Sequence, residues 1–378
     1  SFVASAMQDG WLKDLVVDGI IGGVGSVLVF LPNILLLYFF ISLLEDSGYM
    51  ARAAFIMDRL MHKIGLHGKS FIPMIMGFGC NVPAVMATRT IENRKSRLIT
   101  MLIIPLMSCA GRMPVYILIA GAFFPKNAGL VLLGLYALGI VLAIVAAKIM
   151  SAFFKEDDLP FVMELPPYRI PTAKSIFRHT WEKGKQYLQK MSGIILVCSI
   201  IIWFLGYFPN HNAYDTVQEQ QEHSFIGYIG KAMEPVLKPL GFDWKMGVGI
   251  VAGVGAKELV VSTLGVMYAD DEPVSVASGS MSDDKVGESE SSDDSLSAGV
   301  SEALAETRLQ RALVKSVTPA GALAYIVFIL LYFPCIATFV AIKQEGGGWK
   351  WAIITAVYTI VLAWVAAFLT FNIASIFI

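Results

Sequence analysis

The chain of 378 residues has little charge: 16% of its residues are charged and 56% are hydrophobic. Soluble globular proteins carry about 25% charged residues, so this deficit argues against a soluble enzyme. The net charge of −1 leaves no basic excess for binding nucleic acid. Residues 1–16 lack the basic region and short apolar core of a signal peptide. Only four cysteines occur, and this does not indicate a disulfide scaffold.

Long apolar stretches dominate the sequence instead. Most approach or exceed the roughly 20 residues that a helix needs to cross the hydrocarbon core of a bilayer. They contain five charged residues, Asp18, Arg112, Lys148, Lys257 and Glu258. The sequence therefore predicts an all-α, polytopic helical membrane protein with about eight apolar segments: 17–44, 71–88, 98–124, 128–154, 191–209, 246–268, 316–342 and 351–378.

The distribution of basic residues predicts the orientation of these segments. Lysine and arginine concentrate in 89–97, in 155–190 and at the end of 269–315, and such loops lie in the cytoplasm. Simple alternation then places the N-terminus in the cytoplasm. The basic loop 45–70 fits only if 71–88 re-enters the membrane rather than crossing it. Residues 50–63 are amphipathic and predict a helix at the membrane interface.

Two motifs predict helices that break at membrane depth. The first is Gly77-Phe78-Gly79-Cys80-Asn81-Val82-Pro83, and the second is Pro105-Leu106-Met107-Ser108-Cys109-Ala110-Gly111-Arg112-Met113-Pro114. Freed backbone there must be buried in protein or line a wet cavity. A central arginine is costly in a membrane, so we expect Arg112 to have a partner, Glu258 or else Glu45. A purely structural break and a structural ion pair remain open alternatives.

A third motif is Gly253-Val254-Gly255-Ala256-Lys257-Glu258, and its residues 253–257 align with residues 77–81 at a constant offset of 176. Paired, glycine-interrupted segments in corresponding halves indicate a transporter binding site, although glycine-rich membrane helices also match by chance. An intramembrane carboxylate such as Glu258 is a candidate for binding a cation or a proton.

The cysteines of this sequence are candidate ligands for a soft or borderline metal. Cys80 and Cys109 lie in the first two motifs, Cys335 follows Pro334, and Cys198 has no such context. Thiolates favour Fe(II), Zn(II) or Cu(I) over magnesium or calcium, whereas a buried cysteine often serves packing alone. No histidine lies in an apolar stretch, so imidazole ligation inside the membrane is not expected.

These three motifs, together with Glu45-Asp46-Ser47-Gly48-Tyr49-Met50-Ala51-Arg52, resemble the membrane domain of the ferrous iron transport protein B (FeoB) family. The resemblance covers nearly the whole chain except the acidic segment 270–301. It implies gate repeats and Fe²⁺ as the transported substrate, with no bound cofactor. By resemblance Cys80 and Cys109 contact the ion; we add Asn81, Glu258 and Cys335 as further metal contacts. Arg112 and Lys257 would set the electrostatics of the pore.

The resemblance also predicts partners and a location. We expect a multi-pass protein of the bacterial inner membrane that binds no nucleic acid. Its partners would be the lipid bilayer, a cytoplasmic G domain in cis or in trans, small accessory Feo proteins and a second copy in a homo-oligomer. The G domain of the family is absent from this chain, so the chain alone is not an enzyme.

We divide the chain into six segments: an amphipathic entry segment (1–16), a first gate repeat with following spans (17–154), a cytoplasmic loop (155–190), a second gate repeat (191–268), an acidic, largely disordered insertion (269–315) and C-terminal spans (316–378). Two rival functions stay open. A carrier of nucleosides or another organic solute would favour polar side chains over cysteine at the breaks. A membrane thiol oxidoreductase would need paired cysteines, and no C-x-x-C motif occurs.

Overall fold

The computed structural model of the protein describes residues 13, 15–16, 22–153, 168, 171–209, 222–255, 257–268 and 309–377. These ranges are helical and contain no strand, as the composition predicts. The acidic segment 270–301, for which we expect disorder, lies outside them, as does nearly all of the expected entry segment 1–16.

The described helices fall into two successive sets. The first contains α1 (Gly22–Asp46), α2 (Tyr49–Lys63), α3 (Phe71–Gly79), α4 (Asn81–Ala87), α5 (Arg94–Ile103), α6 (Met113–Phe123) and α7 (Ala128–Phe153). The second contains α8 (Ala173–Tyr207), α9 (Phe225–Leu237), α10 (Trp244–Gly255), α11 (Leu259–Tyr268), α12 (Pro319–Leu331), α13 (Ile336–Glu345) and α14 (Trp349–Phe377). In both sets a long helix comes first, two short helices follow one another across a break in the middle, and a long apolar helix ends the series.

Local chemistry explains where several of these helices begin. The side chain of Asn93 accepts a hydrogen bond from the Ser96 amide at 3.1 Å before α5, and Thr318 accepts one from the Gly321 amide at 3.2 Å before α12. Such caps satisfy amides that have no partner within the helix. The helix α2 starts after Gly48, whose φ of 77° suits glycine. It confirms the helix expected over 50–63.

Four helical stretches in the described part of the chain are long and apolar enough to cross a membrane: Arg94–Phe123, Ala128–Phe153, Pro319–Glu345 and Trp349–Ile376. Apolar helices of 10–17 residues occur at Leu196–Tyr207, Trp244–Gly255 and Leu259–Tyr268. A helical chain able to span a membrane is thus confirmed. The full number of eight segments stays a prediction.

The spanning stretches differ in what surrounds them. The helix α12 is buried along nearly its whole length, whereas α7 exposes large apolar side chains such as Leu130, which is 74% exposed, and Leu133, which is 71% exposed. On its other face, α7 buries the small residues Gly139, Ala143 and Ala147, which let helices approach closely in membranes. The helix α12 therefore lies in the centre of the protein, and α7 at its apolar surface.

The helix α8 begins inside the segment that we expect to connect two spans in the cytoplasm, and its location there stays a prediction. We expect a loop over 155–190, yet α8 already begins at Ala173 and continues for 35 residues. Its polar first half is anchored to the end of α1: Lys183 forms an ion pair with Glu45 at 2.6 Å, and the Ser175 hydroxyl donates to Asp46 at 3.1 Å. These contacts, together with packing against α1, support a helix in a segment whose polarity suggests a loop.

Candidate functional site

The helices break at each of the sequence motifs, and the first break lies between α3 and α4. Cys80 has an extended backbone, with φ −150° and ψ 131°, where α3 ends and α4 begins. Its amide still donates to the Met76 carbonyl at 3.0 Å. Asn81 follows and is buried, and its Oδ1 atom has no hydrogen-bond partner. This break therefore places a thiol next to an unpaired amide oxygen.

The second break separates α5 from α6. A 3₁₀ turn at Ile104–Leu106 contains Pro105, an extended stretch follows to Cys109, and a further 3₁₀ turn covers Ala110–Arg112. Pro114 then occupies the first turn of α6, where its missing amide hydrogen costs no helical hydrogen bond. The chain thus crosses the interior without continuous helix at Cys109.

The third and fourth breaks belong to the second set of helices. Lys257 and Glu258 lie between α10 and α11, and the stretch from Tyr332 to Cys335 lies between α12 and α13. Pro334 cannot donate to a helix, so the carbonyl groups before it are left without their usual partners. The sulfur of Cys335 lies 3.1 Å from the Thr338 hydroxyl.

The four breaks meet in the interior. The end of α3 packs on the second break, because a Cβ atom at Gly77 would lie 3.3 Å from the Met107 Cβ atom. Glu258 of the third break lies against Gly111 of the second, and Lys257 donates to the Phe333 carbonyl of the fourth at 2.7 Å. Cys80 and Cys335 lie deep in the protein, yet both residues keep some accessible surface. The fold therefore brings together the candidate site residues from all four breaks.

These residues do not form a closed metal cage. Among the described residues, no three His, Cys, Asp or Glu side chains are grouped so that they could hold one metal ion. All four cysteines are free thiols, and Cys198 lies within the second half of the continuous helix α8 rather than at a break. The candidate donors of the described residues are thus separate rather than grouped around one point.

Arg112 does not have the partner that we expect for it. It is completely buried, and its guanidinium donates to the carbonyls of Met107 at 2.8 Å and Pro105 at 3.1 Å. Within the described part of the chain it forms no ion pair with Glu258, and Glu45 pairs with Lys183 instead. The carbonyl groups of the second break thus accept from both terminal nitrogens of the guanidinium, whereas its Nε atom is buried without a hydrogen-bond partner.

Lys257 has neutral partners as well. Its Nζ atom donates to the Phe333 carbonyl at 2.7 Å and lies 3.2 Å from the centroid of the Tyr332 ring. The side chain is only 4% exposed. This contact joins the third break to the fourth.

Two features of the site are absent from the sequence prediction. The Tyr332 hydroxyl is buried without a hydrogen-bond partner; its place two residues before Pro334 is the only sequence feature that points to it. Gly111 allows the second break to approach the third, because a Cβ atom there would lie 2.7 Å from the Glu258 Oε1 atom. The second of these features depends on chain segments that are far apart in the sequence.

The comparisons with known proteins agree with this arrangement. The family model described as Gate, nucleoside recognition, matches residues 27–123 and 188–349, and the model for the ferrous iron transport protein B C terminus matches residues 132–183. No solved structure matches the chain.

Several relatives match over nearly the whole chain. An Fe(2+) transport protein A/Fe(2+) transporter FeoB fusion protein of Porphyromonas gingivalis is 53% identical over 100% of this chain and 46% of its own length. Relatives named Fe(2+) transporter FeoB from Staphylococcus aureus and Campylobacter jejuni are 44% and 40% identical, over 97% and 99% of this chain and 50% and 58% of theirs. The chain spans about half the length of the curated relatives that it matches.

Proposed function

The chain belongs to the Gate family and corresponds to the membrane part of FeoB, and we propose that it forms the path by which Fe²⁺ crosses the bacterial inner membrane. The observation that carries the proposal is the meeting of four helix breaks, which brings three thiols, a carboxylate and an unpaired amide oxygen to one region. Sulfur donors suit Fe²⁺ better than they suit magnesium or calcium.

In this proposal Cys80, Cys109 and Cys335 are soft contacts along the path, and Asn81 and Glu258 supply oxygen. An ion passes from one contact to the next, because conduction requires sites that release it. Arg112 and Lys257 set the local potential. The two sets of helices act as two gate repeats, with α3–α4 and α10–α11 as their interrupted segments.

The remaining parts of the proposal concern the surroundings of the path. The chain crosses the membrane several times, in about eight segments, with its N-terminal side in the cytoplasm. A G domain in cis or in trans supplies GTP hydrolysis, and a protein of the FeoA type assists it, as the name of the fusion relative suggests. A homo-oligomer is part of the same proposal.

The experiment is iron uptake into proteoliposomes by the variants Cys80→Ser and Cys109→Ser and by the double variant. Serine keeps the size of the side chain and removes the soft donor, so we expect the double variant to lose at least about tenfold in uptake rate. Cys198→Ser is the matched control, because Cys198 lies in a continuous helix. Unchanged uptake by a folded double variant would contradict the role of these thiols.

The description of the Gate model as nucleoside recognition favours one second candidate. A carrier of nucleosides would accumulate labelled nucleoside in the same liposomes, and iron would not compete with it. We expect no nucleoside uptake. Uptake of nucleoside together with an absence of iron uptake would replace the proposal with this alternative.

A further inference from the structure

The position of the Lys257 ammonium group is the starting point. It is a buried cation that no carboxylate in the described part of the chain neutralises within ion-pair distance. Its partners are the Phe333 carbonyl oxygen at 2.7 Å and the Tyr332 ring at 3.2 Å from the centroid. A carbonyl oxygen and the face of an aromatic ring both attract cations. The fourth break is therefore already a site at which a cation is bound.

The chemistry of the fourth break explains why it accepts a cation. Phe333 lies between the end of α12 at Leu331 and the start of α13 at Ile336, so its carbonyl belongs to neither helix and is free to accept from Lys257. The Tyr332 hydroxyl is buried and has no hydrogen-bond partner. An unpaired buried oxygen is costly. This break thus contains a second oxygen, besides the one that Lys257 contacts, and that oxygen has no partner.

Lys257 occupies the position in the second set of helices that Asn81 occupies in the first. The helices α3 and α10 end at Gly79 and Gly255, which are 176 residues apart, and Lys257 stands at the same offset from Asn81. Where the first half has a neutral amide with an unpaired oxygen, the second half has a positive charge on a flexible stem. A lysine at this position is a tethered cation within reach of the path.

We propose that Tyr332 and Phe333 form a cation subsite of the path, which the Lys257 ammonium occupies while no metal ion is present. A divalent ion and an ammonium group a few ångströms apart repel each other strongly in a medium of low dielectric constant, so the two cannot share the subsite. Lys257 must withdraw before Fe²⁺ passes, and it closes the path at rest. This inference rests on the proposed function.

The test compares the passive entry of Fe²⁺ into liposomes, without nucleotide, for the wild-type protein and for Lys257→Met and Lys257→Arg. An iron-quenched dye inside the liposomes reports the rate. We expect Lys257→Met to raise passive entry by about tenfold or more, since a desolvated cation–π contact with a charged hydrogen bond is lost. Lys257→Arg keeps a cation on the subsite and should raise passive entry less than Lys257→Met does.

Lys343→Met is the matched control. Lys343 also stands over an aromatic ring, 3.7 Å from the centroid of Trp349, but it lies near the end of α13 rather than at a break. Its loss should leave passive entry unchanged. An equal rise for Lys343→Met and Lys257→Met would overturn the inference, because it would show a general loosening of the protein.

A second pair of variants keeps the inference testable if Lys257→Met does not fold. Tyr332→Leu removes the ring and should open the path, whereas Tyr332→Phe keeps the ring and should raise passive entry less than Tyr332→Leu does. If the wild-type protein carries iron but passive entry is no higher in Tyr332→Leu and Lys257→Met than in the wild type, the inference is overturned and the proposed function stands. If neither the wild type nor any variant takes up iron, with or without nucleotide, both the proposed function and the inference are overturned.

Discussion

The close approach of Gly111 to Glu258 offers a sharp test of how the site is built. A Cβ atom at residue 111 would lie 2.7 Å from the Glu258 Oε1 atom, whereas ordinary contact begins at 3.4 Å. The substitution Gly111→Ala therefore displaces the carboxylate oxygen by about 0.7 Å, the difference between these two distances. The backbone of Gly111 has no positive φ, so alanine fits its conformation.

The size of the effect differs between stability and transport. Alanine in place of glycine stabilises a compatible backbone by about 0.4–1 kcal/mol, and moving the flexible end of Glu258 off its rotamer costs a similar amount, about 0.5–1.5 kcal/mol. The midpoint of thermal unfolding should hardly change. Displacements of about 1 Å cost up to on the order of 100-fold at a site that requires precise positioning, so we expect a fall of about tenfold in Fe²⁺ uptake.

The assay measures the rate and the half-saturating Fe²⁺ concentration of uptake, beside a thermal unfolding curve in detergent. Gly134→Ala on α7 is the control, because a Cβ atom there would meet nothing within 4 Å. A stable Gly111→Ala protein with the kinetics of the wild type would refute the reasoning, since it would show that Glu258 takes no part in ion passage.

Three further predictions follow from single contacts. Gly253→Ala should lower the free energy of unfolding by about 1–3 kcal/mol, because its Cβ atom would overlap the Tyr332 hydroxyl. Thermal unfolding measures this change, and an unchanged midpoint would contradict this packing. Arg112→Ala leaves two main-chain carbonyls without their donor and should lower the free energy of unfolding by about 2–3 kcal/mol. The same unfolding curves measure this loss, and full stability would show that the guanidinium is dispensable. Burial lowers the pKa of His67 below its ordinary value of 6.5, so the folded state binds fewer protons than the unfolded one and stability falls as the pH drops from 6.5. His67→Asn should reduce this dependence in unfolding curves taken from pH 7.5 to 5, and an equal slope in both proteins would exclude His67 as its source.

The helix breaks illustrate what can be predicted from sequence. Glycine and proline act through the backbone of their own neighbourhood, so the interruptions near Cys80 and Cys109 follow from residues a few positions away. The offset of 176 residues likewise aligns the ends of α3 and α10. The apolar stretches predict membrane helices because their length and composition alone decide that property.

The first half of α8 shows what could not be predicted from the sequence. This half is polar, and nothing within the segment distinguishes a helix from a cytoplasmic loop. In the fold this half packs against α1 and contacts Glu45 and Asp46 at the end of that helix. Such contacts join residues more than a hundred positions apart, and local patterns carry no information about them.

The sequence by itself determined that this chain is a helical membrane protein with interrupted segments, and which residue types those interruptions carry. Only the tertiary structure decided that four breaks meet, that Arg112 binds main-chain carbonyls rather than Glu258, and that Lys257 lies on Tyr332. The physical reason is that a broken helix exposes carbonyl groups as acceptors. A buried cation can donate to them as well as to a carboxylate, and only the packing of distant segments decides between the two.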